Sequence, residues 1–141
     1  MNSSRPFQLK VVDIRPTQLY INAAKIANIR KIYNPISLEV IPPVPVAKLK
    51  NGTVFFVDGH TRAFVAWKHG GLDEINVVWE SGEFDLEAYE ICLQWCEEAG
   101  ITKIGDLNAR IVPNTQYKQL WLHRCAKMQR ELETKRKKLY A

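Results

Sequence analysis

Apolar residues return along this chain with two different periods, and the changes between them mark its elements. Residues 9–14 form a short apolar stretch closed by Arg15-Pro16. Proline pushes the residue before it into extended geometry, so the stretch predicts a first strand. Asn22 is placed to cap a helix whose apolar positions Ile26, Ile29 and Ile32 or Tyr33 recur every three or four residues, stopping before Asn34-Pro35. Pro42, Pro43 and Pro45 forbid helix through the middle of the chain. Residues 44–49 and 53–57 are instead β-prone runs, and Lys50-Asn51-Gly52 between them signals a hairpin, since Asn and Gly both tolerate positive φ. Helical spacing resumes over 61–69, with Ala63, Phe64, Ala66 and Trp67 on the apolar side and Gly70-Gly71 as a left-handed stop. Residues 75–79 read as another strand.

The order strand, helix, hairpin, helix, strand predicts an α+β core with a small mixed sheet over residues 1–82. Beyond it, residues 83–141 read as a helical extension packed on that core. Residues 86–99 are amphipathic and end at Gly100, 101–107 form a linker or helical turn, and Pro113 or Asn114 opens a long last helix. On that helix Tyr117, Leu120, Trp121, Arg124, Cys125, Met128 and Leu132 share one side, a stripe expected to pack rather than to bind a ligand. A plainer alternative turns Trp95, Trp121 or Tyr117 toward a protein partner.

At 141 residues, with 46% apolar and 25% charged residues, the chain has the size and balance of one globular domain. No long apolar run interrupts it, so the expectation is an unanchored cytoplasmic protein. Three cysteines leave one unpaired, and Cys92 and Cys96 lie four apart in a helical segment, as reduced core thiols would. A zinc site from Cys92, Cys96, His123 and Cys125 lacks the C-x-x-C or H-x-x-x-H spacing that begins one. The net charge of +5 is concentrated late, in Lys127, Arg130, Lys135, Arg136, Lys137 and Lys138. A basic end of this kind either holds nucleic-acid phosphates or is a solvated helix terminus; no aromatic residues are interleaved there to stack bases.

Chemically capable side chains converge at Phe55 to Ala63, F-F-V-D-G-H-T-R-A, where a strand passes through a turn into a helix. A glycine at such a turn lets the backbone approach a ligand, and the first free N–H groups of the helix favour an anion. His60 and Arg62 add donors, and arginine can hold two phosphate oxygens at once. Asp58 would repel an anion, which argues for a further role: holding Mg²⁺ with phosphates, orienting His60, or accepting a hydroxyl proton. The structural alternative is that Asp58 or Thr61 merely caps the helix and Arg62 makes a surface salt bridge.

V-D-G-H-T-R-A-F-V-A-W-K-H-G-G, followed by the strand I-N-V-V-W and preceded by V-P-V-A-K-L and T-V-F-F-V, resembles the superfamily of ParB partition proteins, sulfiredoxin and the free serine kinases. The resemblance spans about residues 9–80. It implies a ParB/sulfiredoxin-like fold and a nucleotide whose phosphates lie against Gly59, His60, Thr61 and Arg62. ATP or ADP with Mg is the implied cofactor, CTP a further candidate. His60 stands where sulfiredoxin-like proteins carry a nucleophilic cysteine, and Thr61 where ParB-like proteins carry the first of two arginines. The D-G-H-x-R form is similar to that of the serine kinases, which implies Asp58 and His60 as active-site residues. Those kinases also use a glutamate after the first strand, and R-P-T-Q-L-Y offers Gln18 there. Glutamine cannot act as a base, so either Asp58 takes that work, with Glu39 the other nearby acid, or the chain binds nucleotide without transferring phosphate.

Two functions follow from these expectations. One is a small nucleotide-dependent kinase acting on a serine-type hydroxyl, with Asp58 as base or Mg ligand and His60 and Arg62 on the phosphates. The other is a non-catalytic nucleotide-sensing or DNA-associated module using Arg130, Lys135, Arg136, Lys137 and Lys138.

Overall fold

The computed structural model describes residues 5–33 and 41–140. The fold is α+β, a five-stranded mixed sheet with packed helices followed by a helical C-terminal extension. The strands are β1 (Phe7–Lys10), β2 (Ile14–Arg15), β4 (Val44–Lys48), β5 (Val54–Phe56) and β6 (Glu74–Trp79), in the order β1-β6-β4-β5-β2. β1 runs antiparallel to β6 and β4 antiparallel to β5, whereas β4 with β6 and β2 with β5 are parallel.

The single strand expected over 9–14 is two strands on opposite edges of the sheet. A 3₁₀ turn at Val11–Asp13 separates them, its first N–H donating to Asp73 O over 2.9 Å. A flat five-stranded sheet is roughly 19 Å across at the usual strand spacing. Four residue steps reach only about 14 Å. The sheet must therefore curl until its edges approach, and Val11 and Ile14, near the two ends of this crossing, are fully buried in the core.

Asn22 caps α1 (Ala23–Ile32) as expected, its Oδ1 accepting from the Ala24 N–H over 2.9 Å. The hairpin between β4 and β5 turns at Gly52, whose φ is 94°, with Asn51 Oδ1 accepting from the Thr53 N–H. α2 (His60–Lys68) lies against α1, β4 and β6, burying Ala63, Phe64, Val65 and Ala66. Gly71, at φ 66°, follows its end.

The extension begins with α3 (Leu86–Glu98), capped by Asp85 and followed by Gly100 at φ 76°. A 3₁₀ segment, Ile104–Arg110, then packs on α2 so closely that a Cβ on Gly105 would stand 2.9 Å from the Trp67 ring. A second, two-stranded parallel sheet joins β3 (Ile21–Asn22) to β7 (Ile111–Val112). The last helix is α4 (Asn114–Tyr117), a π-helical turn at Lys118–Leu122, and α5 (His123–Leu139). Tyr117, Trp121, Met128 and Leu132 are buried along it, Cys125 is half-buried, and Leu120 and Arg124 face outward. A π turn adds a residue to the helical step and shifts the register of the stripe. Trp121 meets Trp95 edge-on at 6.1 Å, and the Arg124 guanidinium covers Trp95 at 4.2 Å, so these aromatics pack within the chain.

Candidate phosphate site at the head of the second helix

β5 ends in buried Phe56, and the Val57 N–H donates to Pro45 O over 3.0 Å before the chain turns at Asp58. Gly59 then takes φ 79° and ψ 21°, a left-handed conformation that an L side chain enters at a cost of about 1–2 kcal/mol. Space reinforces this restriction. A Cβ on Gly59 would lie 2.9 Å from Val44 Cγ1 and 2.9 Å from Arg62 Nη2. Gly59 is also the residue that caps α2, so neither Asp58 nor Thr61 takes that role and the helix head has no side-chain cap. The first helical bond runs from the Ala63 N–H to Gly59 O over 3.0 Å. Backbone N–H groups ahead of it project from the positive end of the helix.

Arg62 folds back over this turn. Its Nη1 reaches the carbonyls of Pro42 and Pro43 at 3.3 and 3.4 Å, long bonds that leave the guanidinium available. Among the described residues it forms no ion pair with a carboxylate. It also borders a cavity of about 260 Å³ between α2 and the sheet, whose wall includes Val44, Ala63, Ala66 and Ile75. Thr61 is half-buried beside it and Asp58 is exposed.

His60 stands apart from this open group. It is 2% exposed, packs against the Phe56 ring at 5.0 Å in a tilted arrangement, and its Nε2 accepts from the Thr17 N–H over 2.8 Å. The Thr17 hydroxyl, 3.3 Å from the same nitrogen, donates to Phe56 O over 2.7 Å. An Nε2 that accepts leaves the ring proton on Nδ1, and Nδ1 is buried without a partner among the described residues. Such an unmatched donor costs about 1–3 kcal/mol. Burial pushes the His60 pKa down to about 3, outweighing the nearby Asp58 charge that raises it. The ring is neutral at physiological pH, so Asp58, Gly59, Thr61 and Arg62 share the open turn while His60 belongs to the wall behind it.

Gln18 lies near but is engaged, its Nε2 donating to Tyr20 O at 3.0 Å and to Tyr117 Oη at 3.2 Å. Glu39 lies outside the described residues. The extension supplies neighbours that sequence reasoning did not assign to the site. Tyr89 Oη donates to Val57 O over 2.8 Å, directly before Asp58, and Cys96 Sγ donates to Gln18 O over 3.4 Å. Burial and then the Asp58 charge are among the causes that raise the Tyr89 hydroxyl, and burial above all takes Tyr117 to about 12. Only a helical extension folded back onto the turn brings them there, a contact that local patterning does not signal.

Three of the six basic residues at the C-terminal end, Lys135, Arg136 and Lys137, are paired. Arg136 grips Asp85 with two bonds of 3.0 and 2.8 Å and reaches Glu87 at 3.0 Å; Lys135 meets Glu87 at 3.1 Å and Lys137 meets Glu133 at 3.2 Å. Arg130 and Lys138 remain exposed with Lys127 along one side of α5. Among the described residues no three His, Cys, Asp or Glu side chains gather as a metal site, and no helix is long and apolar enough to cross a membrane.

No family model and no curated protein matches the chain. Among solved structures it is similar to protein Atu1540 from Agrobacterium tumefaciens, at 15% sequence identity and a TM-score of 0.45, over 70% of this chain and 50% of that one. The chain thus matches half the length of that protein.

Proposed function

We propose that the chain is a ParB/sulfiredoxin-like protein of the serine-kinase form that seats nucleotide phosphates at the head of α2 and transfers one to the hydroxyl of a small acceptor in the cytoplasm. The observation that carries this reading is the Gly59 turn. It is held between Val44 and Arg62 with no room for a Cβ, beside an uncapped helix head and an exposed carboxylate. Backbone N–H groups and a guanidinium fork are complementary to phosphate oxygens. Asp58 is unsuited to an anion site unless a cation or a hydroxyl proton joins it. One exposed carboxylate together with phosphate oxygens fits the way Mg²⁺ is commonly held, and the metal would neutralise phosphate charge there.

In the transfer, ATP is the donor in the simplest form. The acceptor oxygen bonds to the terminal phosphorus, its proton passes to Asp58, and the bond to the bridging oxygen breaks to release ADP. Arg62 and the helix head would stabilise the charge on the moving group. His60, uncharged and tied to Thr17, serves this reading by fixing the turn from behind rather than by supplying positive charge. The Asp58→Asn variant should fold and bind nucleotide but lose Mg-dependent turnover. Full activity in that variant would sink the catalytic assignment.

Gln18 favours a second reading, in which the chain binds nucleotide without turning it over. Both amide hydrogens are committed to Tyr20 and Tyr117, so the position expected for an acid is structural. ADP release measured over hours with a panel of hydroxyl acceptors separates the two. In the DNA-associated form of this reading, Lys127, Arg130 and Lys138, which form no ion pair among the described residues, provide cations on the last helix, and association would weaken steeply with salt.

A further inference from the structure

A cavity of about 190 Å³ lies where the extension closes over the core. Val57 and His60, the residues flanking Asp58 and Gly59, form part of its wall, with Cys92 from α3 and Trp121, Cys125 and Met128 from the last helix. Its chemistry is uneven. Thioether, thiol and indole groups give a soft apolar lining suited to an uncharged body. Polar residues in the wall are Thr17, Gln18, Tyr89, Gln129 and His60; the hydroxyls of Thr17 and Tyr89 and the Gln18 amide are already bonded, whereas the buried His60 Nδ1–H has no partner among the described residues. Among the described residues no Asp, Glu, Lys or Arg side chain lines it.

We propose that this cavity binds a small uncharged alcohol, with the His60 Nδ1–H donating to its oxygen, and that it is the acceptor pocket of the phosphotransfer assigned above. As an acceptor pocket it rests on that reading; as a binding site it stands alone. The geometry selects charge first. A carboxylate would find no cationic side chain among the wall residues as a countercharge and would meet the nearby Asp58 charge, which burial penalises heavily. His60 cannot supply one, because a proton on Nε2 would confront the Thr17 N–H that Nε2 accepts. A free amino acid, zwitterionic at neutral pH, is therefore a poor occupant. Size selects next: a cavity of roughly 150 Å³ admits benzene, so this one suits about six to eight heavy atoms. Position selects last, since the pocket borders the turn that carries Asp58.

The test uses the full chain labelled with ¹⁵N-histidine, titrated separately with benzyl alcohol, with L-serine, and with ATP plus Mg²⁺. Benzyl alcohol is expected to shift the His60 Nδ1 resonance saturably and to raise the melting temperature, while L-serine at the same concentration does neither. Ala88→Leu, which fills the cavity from α3, should abolish the benzyl alcohol shift; Cys125→Met on the facing helix gives the same readout should the first variant not fold. An unmoved His60 resonance with benzyl alcohol, or a shift with serine but not with the alcohol, overturns the pocket whatever ATP does. A response to the alcohol without any response to ATP keeps the pocket and removes the phosphate reading.

Discussion

The Thr17 backbone N–H donates to Nε2 of His60 over 2.8 Å, across 43 residues of sequence. This bond joins the segment after β2 to the first residue of α2. It also fixes the imidazole as the neutral tautomer with its proton on Nδ1. The turn bearing Asp58, Gly59 and Arg62 is therefore braced by a histidine that does not itself face the open site.

Stability should record that neutrality. The folded pKa of His60, about 3, lies below the ordinary 6.5, so between these values the unfolded chain binds more protons. The stabilisation is present above pH 6.5 and is lost as pH falls toward 3, with a limiting slope of about 1.4 kcal/mol per pH unit. Denaturant unfolding at pH 7, 6 and 5 should show this loss in the wild type and a flatter dependence in His60→Gln. Parallel pH profiles would contradict a buried neutral ring.

Gly59→Ala should destabilise the chain by about 1–3 kcal/mol, combining the left-handed φ with the two 2.9 Å approaches. Arg62 must move to admit the methyl group, so nucleotide-dependent stabilisation should also fall. Equilibrium unfolding with and without nucleotide measures both effects. An alanine variant as stable as the parent would mean that the turn is not held as described.

Local signals made part of this legible in the sequence. Asn22 as a cap, Asn51-Gly52 as a hairpin and Gly100 after a helix each act within a few residues, and each is found in place. The break at Val11–Asp13 was not legible, because Val11 is as apolar as a strand residue and its turn answers to Asp73, far away in sequence. Strands of two residues such as β3 and β7 carry no periodicity at all. At the site, the Asp58, Gly59 and Arg62 cluster was visible, but the burial of His60 depends on Thr17, and the engagement of Gln18 depends on Tyr117. Long-range contacts of this kind leave no mark in local spacing.

The three thiols should differ in reactivity. Burial takes Cys96 up to about 12, and Cys92 is pushed up by its hydrogen bond with Cys125 and by burial. Cys125, half-buried, is lowered by accepting the Cys92 hydrogen bond. Thiolates alkylate faster than thiols, so iodoacetamide with peptide mapping should mark Cys125 first. Labelling of Cys92 or Cys96 ahead of it would contradict the arrangement.

The end of α5 should depend on its docking to the α3 cap. Arg136 holds the Asp85 carboxyl below the usual carboxylate range, and Asp85 in turn accepts the Ala88 N–H. Arg136→Ala should lower hydrogen-exchange protection over residues 133–139 while the sheet is unaffected. Unchanged protection there would show that the ion pairs do not secure the helix end.

The central claim is a phosphate seat made by Gly59, the α2 head and Arg62, and calorimetric titration of ATP with Mg²⁺ into the wild type and Arg62→Met tests it most directly. A charge-assisted fork contributes about 1.5–3 kcal/mol, so saturable binding by the wild type and affinity at least about tenfold weaker in the variant are expected. Equal affinity in the two proteins, or no binding by the wild type, would contradict it.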